Sequence, residues 1–557
     1  MKRALCVLLL AALCLLAGLA GAAAPAARVW ISPTSEETAD ALYLSSEDGE
    51  QYTLFLPAAF PLADARFGME GVESLTVSGA GKVEVGDSAA FLAPGKYSLK
   101  LGKKSASLRV LRGSEGLPAL YITTESGGLT YIEGNKNRKE AGYLMLRGAD
   151  GALLYGGALE HIKIRGNSSV TFVKKNYQIK LQTGASLLGF GKAKKWILTG
   201  NYRDKSCLRN QLMLDLAMEM GLPYTPEHTM AELYINHEYR GLYLFSEKVE
   251  IDDDRIDIPD LEAQTEELNG GDLSRFKTIG PRKATRGSFK GYEIPEDPED
   301  ISGGYLIEYE SYLVRYKQEK SAYTTRKGAV VVVKSPEYAS RAQMKVISHL
   351  VQAFENAVFA KDGKDPGTGL HYSELMDVPS LTAKYMLEEL CKNYDGNSSS
   401  QFFFKPADVV SPKLFAGPAW DYDSTFGSYA QKRNARYVLS GSGMWISTGA
   451  KNYWYPQLYT RPEFREEVCR LWNGRMRTAV EVLLGTRPPE EGSVLHSIDD
   501  YAEAIRDSAE MDFVRWPRKK KPSTVAQTGH TFQMNIDYVK QFLTDRYDYL
   551  NREWAGE

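Results

Sequence analysis

The chain has 557 residues, 25% of them charged, with a formal net charge of −3 and five cysteines. That balance gives no electrostatic case for nucleic acid or an anionic surface as partner, and the length suffices for two or three domains with substantial cores. Seven scattered histidines, without an H-E-x-x-H spacing or a Cys/His cluster, argue against a structural zinc site.

Lys2 and Arg3 precede an apolar run that ends in small residues with A-x-A spacing near Ala22–Ala24. This predicts a secretory signal peptide over 1–24, and hence a secreted or envelope-associated protein without stable membrane insertion. Its removal would leave Cys207, Cys391 and Cys469, too few for a disulfide framework, so the core must hold the fold.

Short alternating segments broken by Gly, Asp and Pro follow over 28–112, among them QYTLFLP, SLTVSG and SASLRVL. They predict a small all-β sandwich with a spacer or adhesive role. GSEGLP (113–118) reads as a linker. A region over 118–250 then alternates strands (ALYITT, GYLMLRG, HIKIRG, NYQIKL) with one helix, 206–220, where Leu208, Leu212, Leu216 and Met220 recur at helical spacing before Gly221 and Pro223. The strands of AELYINHEYRGLYLFSEKV close it. Residues 251–303 read as an irregular polar insertion. Residues 304–557 read as a helical lobe around one short β segment, QFFFKPADVVSPKLFAGPAW, with the basic run 515–523 as a solvated loop. The fold class expected is α+β: a β-rich lobe, then a helical lobe.

The chemistry concentrates at that β segment. Asp395 precedes its outgoing strand, and Asp421 and Asp423 follow its returning one, in GPAWDYDSTFG. A hairpin brings its outer ends together, so acids 26 residues apart become neighbours. Phosphoryl transfer needs one carboxylate to orient the acceptor hydroxyl and another to hold magnesium against the phosphates. Asp395 suits the first role, and Asp421 the second with Asp423 assisting. Strand alternation in NYQIKL turns Lys180 away from the apolar face, where it could meet a phosphate. The loop of IRGNSSVTFVKK offers Gly166 for a tight turn and Asn167, Ser168 and Ser169 as donors. Arg165 could serve a phosphate or pair with an acid.

Five blocks in order, RGNSSVTFVKKNYQIKL, GNYRDKSCLRNQL, INHEYRGLYLFSEKV, ELCKNYDGNSSSQFFFK and GPAWDYDSTFG, resemble the successive signatures of the spore-coat-H (CotH) kinase family. The resemblance spans roughly 118–555. It implies a bilobal, atypical protein-kinase-like fold that uses ATP with magnesium, or manganese in its place, to phosphorylate a protein substrate. Carried over by position, Lys180 contacts phosphate, Asp395 acts on the acceptor, Asp421 binds metal, and Glu247 with Lys248 falls in the hinge beside adenine. Conventional kinases place a metal-binding Asn five residues after the catalytic aspartate; here Ser400 stands there. In the family's loop the residues matching Thr171–Val173 are commonly Trp and Pro-containing, a pattern this chain lacks.

The resulting expectation is an exported ATP- and magnesium-dependent kinase acting on Ser/Thr of secreted, envelope or spore-surface proteins. One alternative is a catalytically inactive kinase-like binding or adhesion protein. Another is a glycosidase using Asp395 and Asp421 as its acid pair.

Overall fold

The structure is a computed structural model describing residues 27–34, 36–310, 313–396, 398–448, 454–517 and 530–556. The expected signal segment, 1–24, and most of the basic run 515–523 lie outside those residues. The fold is mixed α+β, and the chain divides into two units. One comprises the residues up to Arg112 together with His237–Tyr239; the other comprises Gly113–Asn236 and Arg240 onward.

The first unit holds a three-stranded sheet, in the order Leu42–Tyr43, Arg28–Ser32, Arg66–Glu70. It also holds a five-stranded one, in the order Gln51–Leu56, Lys104–Arg112, Gly95–Leu101, Ser74–Val77, Gly81–Glu84. Leu75, Val77, Val83, Leu99, Leu108 and Val110 are buried while their neighbours Thr76, Lys82, Lys100 and Arg109 are exposed. One covered face is what that period-two pattern dictates.

A closed barrel, all of it in the second unit except Glu238 and Tyr239, runs Glu140–Arg147, Leu153–Arg165, Asn176–Ala185, Ala193–Thr199, Glu238–Glu247, His228–Ile235, Ala119–Thr124. Closure leaves no unpaired edge. Its interior is filled by Ile162, Ile164, Tyr177, Ile179, Leu181, Trp196, Leu198, Tyr243 and Phe245 among others. Residues alternating with these on Leu153–Arg165 and Asn176–Ala185 face outward: Lys163, Arg165, Gln178 and Lys180. Gly166 follows at φ +110°, and a Cβ there would collide with the Ser169 hydroxyl, so this turn requires glycine.

A second seven-stranded sheet has the order Thr278–Ile279, Phe289–Tyr292, Ser321–Thr324, Val330–Ser335, Tyr305–Glu310, Gln401–Lys405, Phe415–Ala416. This corrects the expectation of helices around a single β hairpin. The expected hairpin is present, with Phe403 opposite Ala416 and Phe404 opposite Phe415, but it forms one edge of a larger sheet. The sheet was hidden because YLIEYE and AVVVVKS are short and lie next to polar segments. Tyr305, Ile307, Tyr309, Val331, Val333 and Phe403 turn one face to the helices Arg341–Phe359, Val378–Leu390, Pro462–Leu471, Ile498–Arg515 and Phe532–Trp554. Leu306, Phe402 and Phe404 on the other face pack with Ile256, Ile258 and, partly buried, Trp420. Glu308 and Glu310 share that second face by strand alternation.

Candidate functional site

The site is built on loops at the ends of rigid elements. Helix Val378–Leu390 is started by Asp377, whose side chain accepts the Ser380 N–H, and it ends at Cys391. Lys392 follows at φ +45°, with its ammonium donating to the carbonyls of Tyr437, Ser440 and Ser442 at 2.6–2.8 Å. Asn393 then fixes the next step. Its amide donates to Glu388 Oε2 at 2.7 Å, its Oδ1 accepts the Asp395 N–H at 3.0 Å, and its carbonyl accepts Trp445 Nε1–H at 2.8 Å. The Asp395 carbonyl accepts the N–H groups of Ser398 and Ser399, which turns the chain back toward the strand Gln401–Lys405.

The returning strand delivers Trp420, then Asp421 at φ +68°, a left-handed conformation that an aspartate tolerates at some cost. Tyr422 is buried and anchors the turn: its N–H donates to Asn210 Oδ1 at 2.7 Å and its hydroxyl to Glu388 Oε1 at 3.0 Å. Arg209, at the start of helix Arg209–Glu219, donates to the Thr425 carbonyl at 2.9 Å and forms a buried ion pair with Asp204. The loop GNYRDK and the helix after it thus hold the DYDSTFG turn in place.

The two loops bring Asp395, Asp421 and Asp423 together. Asp395 is partly buried, and its carboxyl is pushed up to about 7 by burial, then by the charges of Asp421 and Asp423; Arg203 acts in the opposite direction. Asp423 is pushed up to about 6 by burial and then by Asp421, again against Arg203. Asp421 is exposed and accepts the Ser400 hydroxyl at 3.0 Å. Among the described residues none of the three aspartates forms an ion pair.

Cations approach from the barrel. Arg165 lies with its guanidinium 5.1 Å from the centre of the Trp420 ring, in the fields of Asp421 and Glu308. Burial lowers its pKa, as it does that of Lys163 two residues earlier on the same face. Lys180 is elsewhere. Arg165 pairs with Asn176, whereas Lys180 pairs with His161, four residues along the strand and roughly 13 Å away at strand rise. Lys180 instead forms an ion pair with Glu160 at 2.7 Å. The helix 206–220 offers Asp215 and Glu219 as alternative partners for Lys180 by sequence, but Asp215 accepts from Tyr501, and Glu219 accepts from Ser493.

The remaining expected residues are structurally engaged. Asn167 accepts from Arg315 at 3.3 Å, and Arg315 also bridges Glu310 at 3.1 Å. Ser168 precedes the 3₁₀ turn Ser169–Thr171 and accepts the Thr171 hydroxyl on its carbonyl. Glu247 is buried, its carboxyl raised by burial, and it accepts the Glu227 N–H at 3.0 Å. Lys248 and Lys195 both bridge Glu250, at 2.9 and 2.7 Å.

Sequence reasoning missed Glu308 and Arg203. Alternation in YLIEYE puts two acids on one strand face and could have revealed Glu308. Nothing in GNYRDK alone distinguishes Arg203.

The donor set consists of hard oxygens: the Asp421 and Asp423 carboxylates and the Ser400 hydroxyl. Among the described residues no group of three or more His, Cys, Asp or Glu is placed to hold a metal ion by itself. One or two carboxylates completed by phosphate and water oxygens are what magnesium prefers, so these residues fit that ion. Among the described residues, no helix is long and apolar enough to cross a membrane.

No curated protein of assigned function matches the chain. The profile of the CotH kinase protein family matches residues 162–550, a span that holds Arg165, the GNYRDK loop and all three clustered aspartates. With well over half its length matched, the chain belongs to the CotH kinase family.

Proposed function

We propose that the protein is an exported protein kinase that transfers the γ-phosphoryl group of ATP, in the presence of magnesium, to Ser/Thr hydroxyls of secreted, envelope or spore-surface proteins. The observation that carries this reading is the meeting of Asp395 with Asp421 and Asp423 on two separately anchored loops, facing Arg165. The barrel and the sheet-with-helices region are read as the two lobes of a kinase-like fold. The two sheets of residues 28–112 are read as a small sandwich serving as spacer or adhesive module.

In this reading Asp421, with Asp423 and Ser400, would hold magnesium, which when bound neutralises phosphate charge and orients the γ-phosphoryl group. Arg165, stacked on Trp420, faces the phosphates. Lys180 would have to leave Glu160 to join it, so Arg165 takes the role sequence reading gave to Lys180. Asp395 accepts the proton of the acceptor hydroxyl as its oxygen bonds to the γ-phosphorus. The bond to the β,γ-bridging oxygen breaks, and ADP leaves.

The test is incubation of the purified chain with labelled ATP, with and without magnesium. The wild type should incorporate label only with the metal, and Asp395→Asn should bind magnesium–ATP normally in a thermal-shift assay but transfer at least ~10²-fold more slowly. An Asp395→Asn protein that transfers at the wild-type rate would sink the assignment. A wild type neither stabilised nor labelled would favour the inactive, kinase-like binding protein.

A further inference from the structure

Arg203 has the surroundings of a ligand-binding group rather than of a strut. Its guanidinium carbon lies 4.9 Å from the centre of the Phe172 ring and 4.8 Å from that of Tyr429. Phe172 closes the loop that begins at Gly166, and Tyr429 follows the DYDSTFG turn. Tyr429 in turn meets Tyr394, the residue before Asp395, edge-on with centroids 4.9 Å apart. The cation therefore lies over two aromatic faces at once, contacts that do not use the N–H edge of the guanidinium. Among the described residues no carboxylate or carbonyl accepts a hydrogen bond from that edge. Arg209, six residues on, is the contrast, with its guanidinium occupied by Asp204, Ser206 and the Thr425 carbonyl.

We propose that Arg203 binds the phosphoryl group in transit, its stacked guanidinium donating to non-bridging γ-oxygens between Asp395 and Asp423. This rests on the kinase reading above and deepens it. As the acceptor oxygen bonds to phosphorus and the bridging oxygen departs with ADP, charge on the equatorial oxygens remains beside a fixed bidentate cation. Aromatic clamping matters because a donor held in place needs no reorganisation during transfer. Arg165, on the Asp421 and Glu308 side, would contact phosphates that stay with the nucleotide. The two arginines would then divide the triphosphate between leaving and transferring parts.

The experiment compares wild type, Arg203→Gln and Arg203→Lys as full chains. It measures magnesium–ATP and magnesium–ADP affinities by thermal shift, and transfer rate by label incorporation. Arg203→Gln should bind ADP within about twofold of wild type, weaken ATP by about tenfold, and slow transfer by ~10³-fold. Added guanidinium ion at millimolar concentration should restore part of that rate. Arg203→Lys keeps a charge without the fork; it should fold as wild type and lose the preference for ATP over ADP. Equal losses for ATP and ADP, or an unchanged transfer rate in both variants, would overturn the inference while leaving the kinase reading intact. A wild type that neither binds nor transfers would overturn both.

Discussion

Two groups of acids at and beyond the end of helix Val378–Leu390 have opposite surroundings. Glu388 and Glu389, on helix Val378–Leu390, are fully buried, and each has a cation: Lys384 at 2.8 Å and Arg546 at 3.3 Å. A few residues on, Asp395 meets Asp421 and Asp423 without an ion pair among the described residues, and burial and mutual repulsion push two of these carboxyls up. Paired, desolvated charges hold a scaffold. Like charges gathered without partners store repulsion that an added cation relieves. The contrast separates what builds the site from what acts in it, and it can be broken by substitution.

The largest effect should come from the unpaired group. Asp421→Asn should cut magnesium-dependent transfer by about a thousandfold, the scale of losing a metal-held charge, while melting temperature stays level or rises as repulsion with Asp395 and Asp423 is relieved. A large fall in thermal stability alongside the lost activity would place Asp421 with the scaffold acids instead.

Glu388→Gln should behave the other way. It leaves Lys384 buried without its counter-charge, a loss of about 3–5 kcal/mol in stability by chemical denaturation. It should also lower transfer, because one carboxylate anchors Asn393 beneath Asp395 and Tyr422 between Asp421 and Asp423. Magnesium–ATP affinity should fall less than kcat. A variant as stable as wild type would show that the pair contributes nothing net.

Smaller effects should distinguish the barrel's two cations. Arg165→Met should weaken magnesium–ATP binding by roughly tenfold, an interaction of about 1.4 kcal/mol. Lys180→Met should change it less than twofold, because its partner Glu160 is an exposed acid on the adjacent strand and not part of the acid cluster. The reverse ranking would return the phosphate to Lys180.

These residues also mark where the sequence is legible. The convergence of Asp395 with Asp421 could be read because a hairpin is a local device: its ends meet whatever surrounds it. The inward faces of NYQIKL and HIKIRG follow equally from period two. Period two settles the side of a strand but not the position along it, and so Lys180, correctly turned outward, was matched to an acid cluster that sits at the Arg165 end. Arg203 meets Phe172 and Tyr429, and Glu388 meets Tyr422, all more than twenty residues away in sequence. No window along the chain contains those pairs. The sheet through YLIEYE and AVVVVKS escaped for a related reason: short central strands buried on both faces resemble any apolar run until their neighbours are known.

One acid belongs to neither class and sharpens the comparison most gently. Glu232 is buried in the strand His228–Ile235, without a cation among the described residues; it accepts from Ser508 at 2.6 Å and from Tyr234 at 3.4 Å, and burial raises its carboxyl to about 7. A folded-state value above the ordinary 4.5 means that between about pH 4.5 and 7 the native chain holds a proton the unfolded chain has released. Stability therefore falls as pH rises through that window and levels off above it. Glu232→Gln keeps the hydrogen bonds and removes the titration. Its melting temperature should match wild type near pH 5, exceed it by a few degrees at pH 7, and hold that lead at pH 8. A gap that is the same at every pH would mean that Ser508 and Tyr234 stabilise the ionised carboxylate fully, and that a lone buried acid here acts as scaffold without a counter-charge.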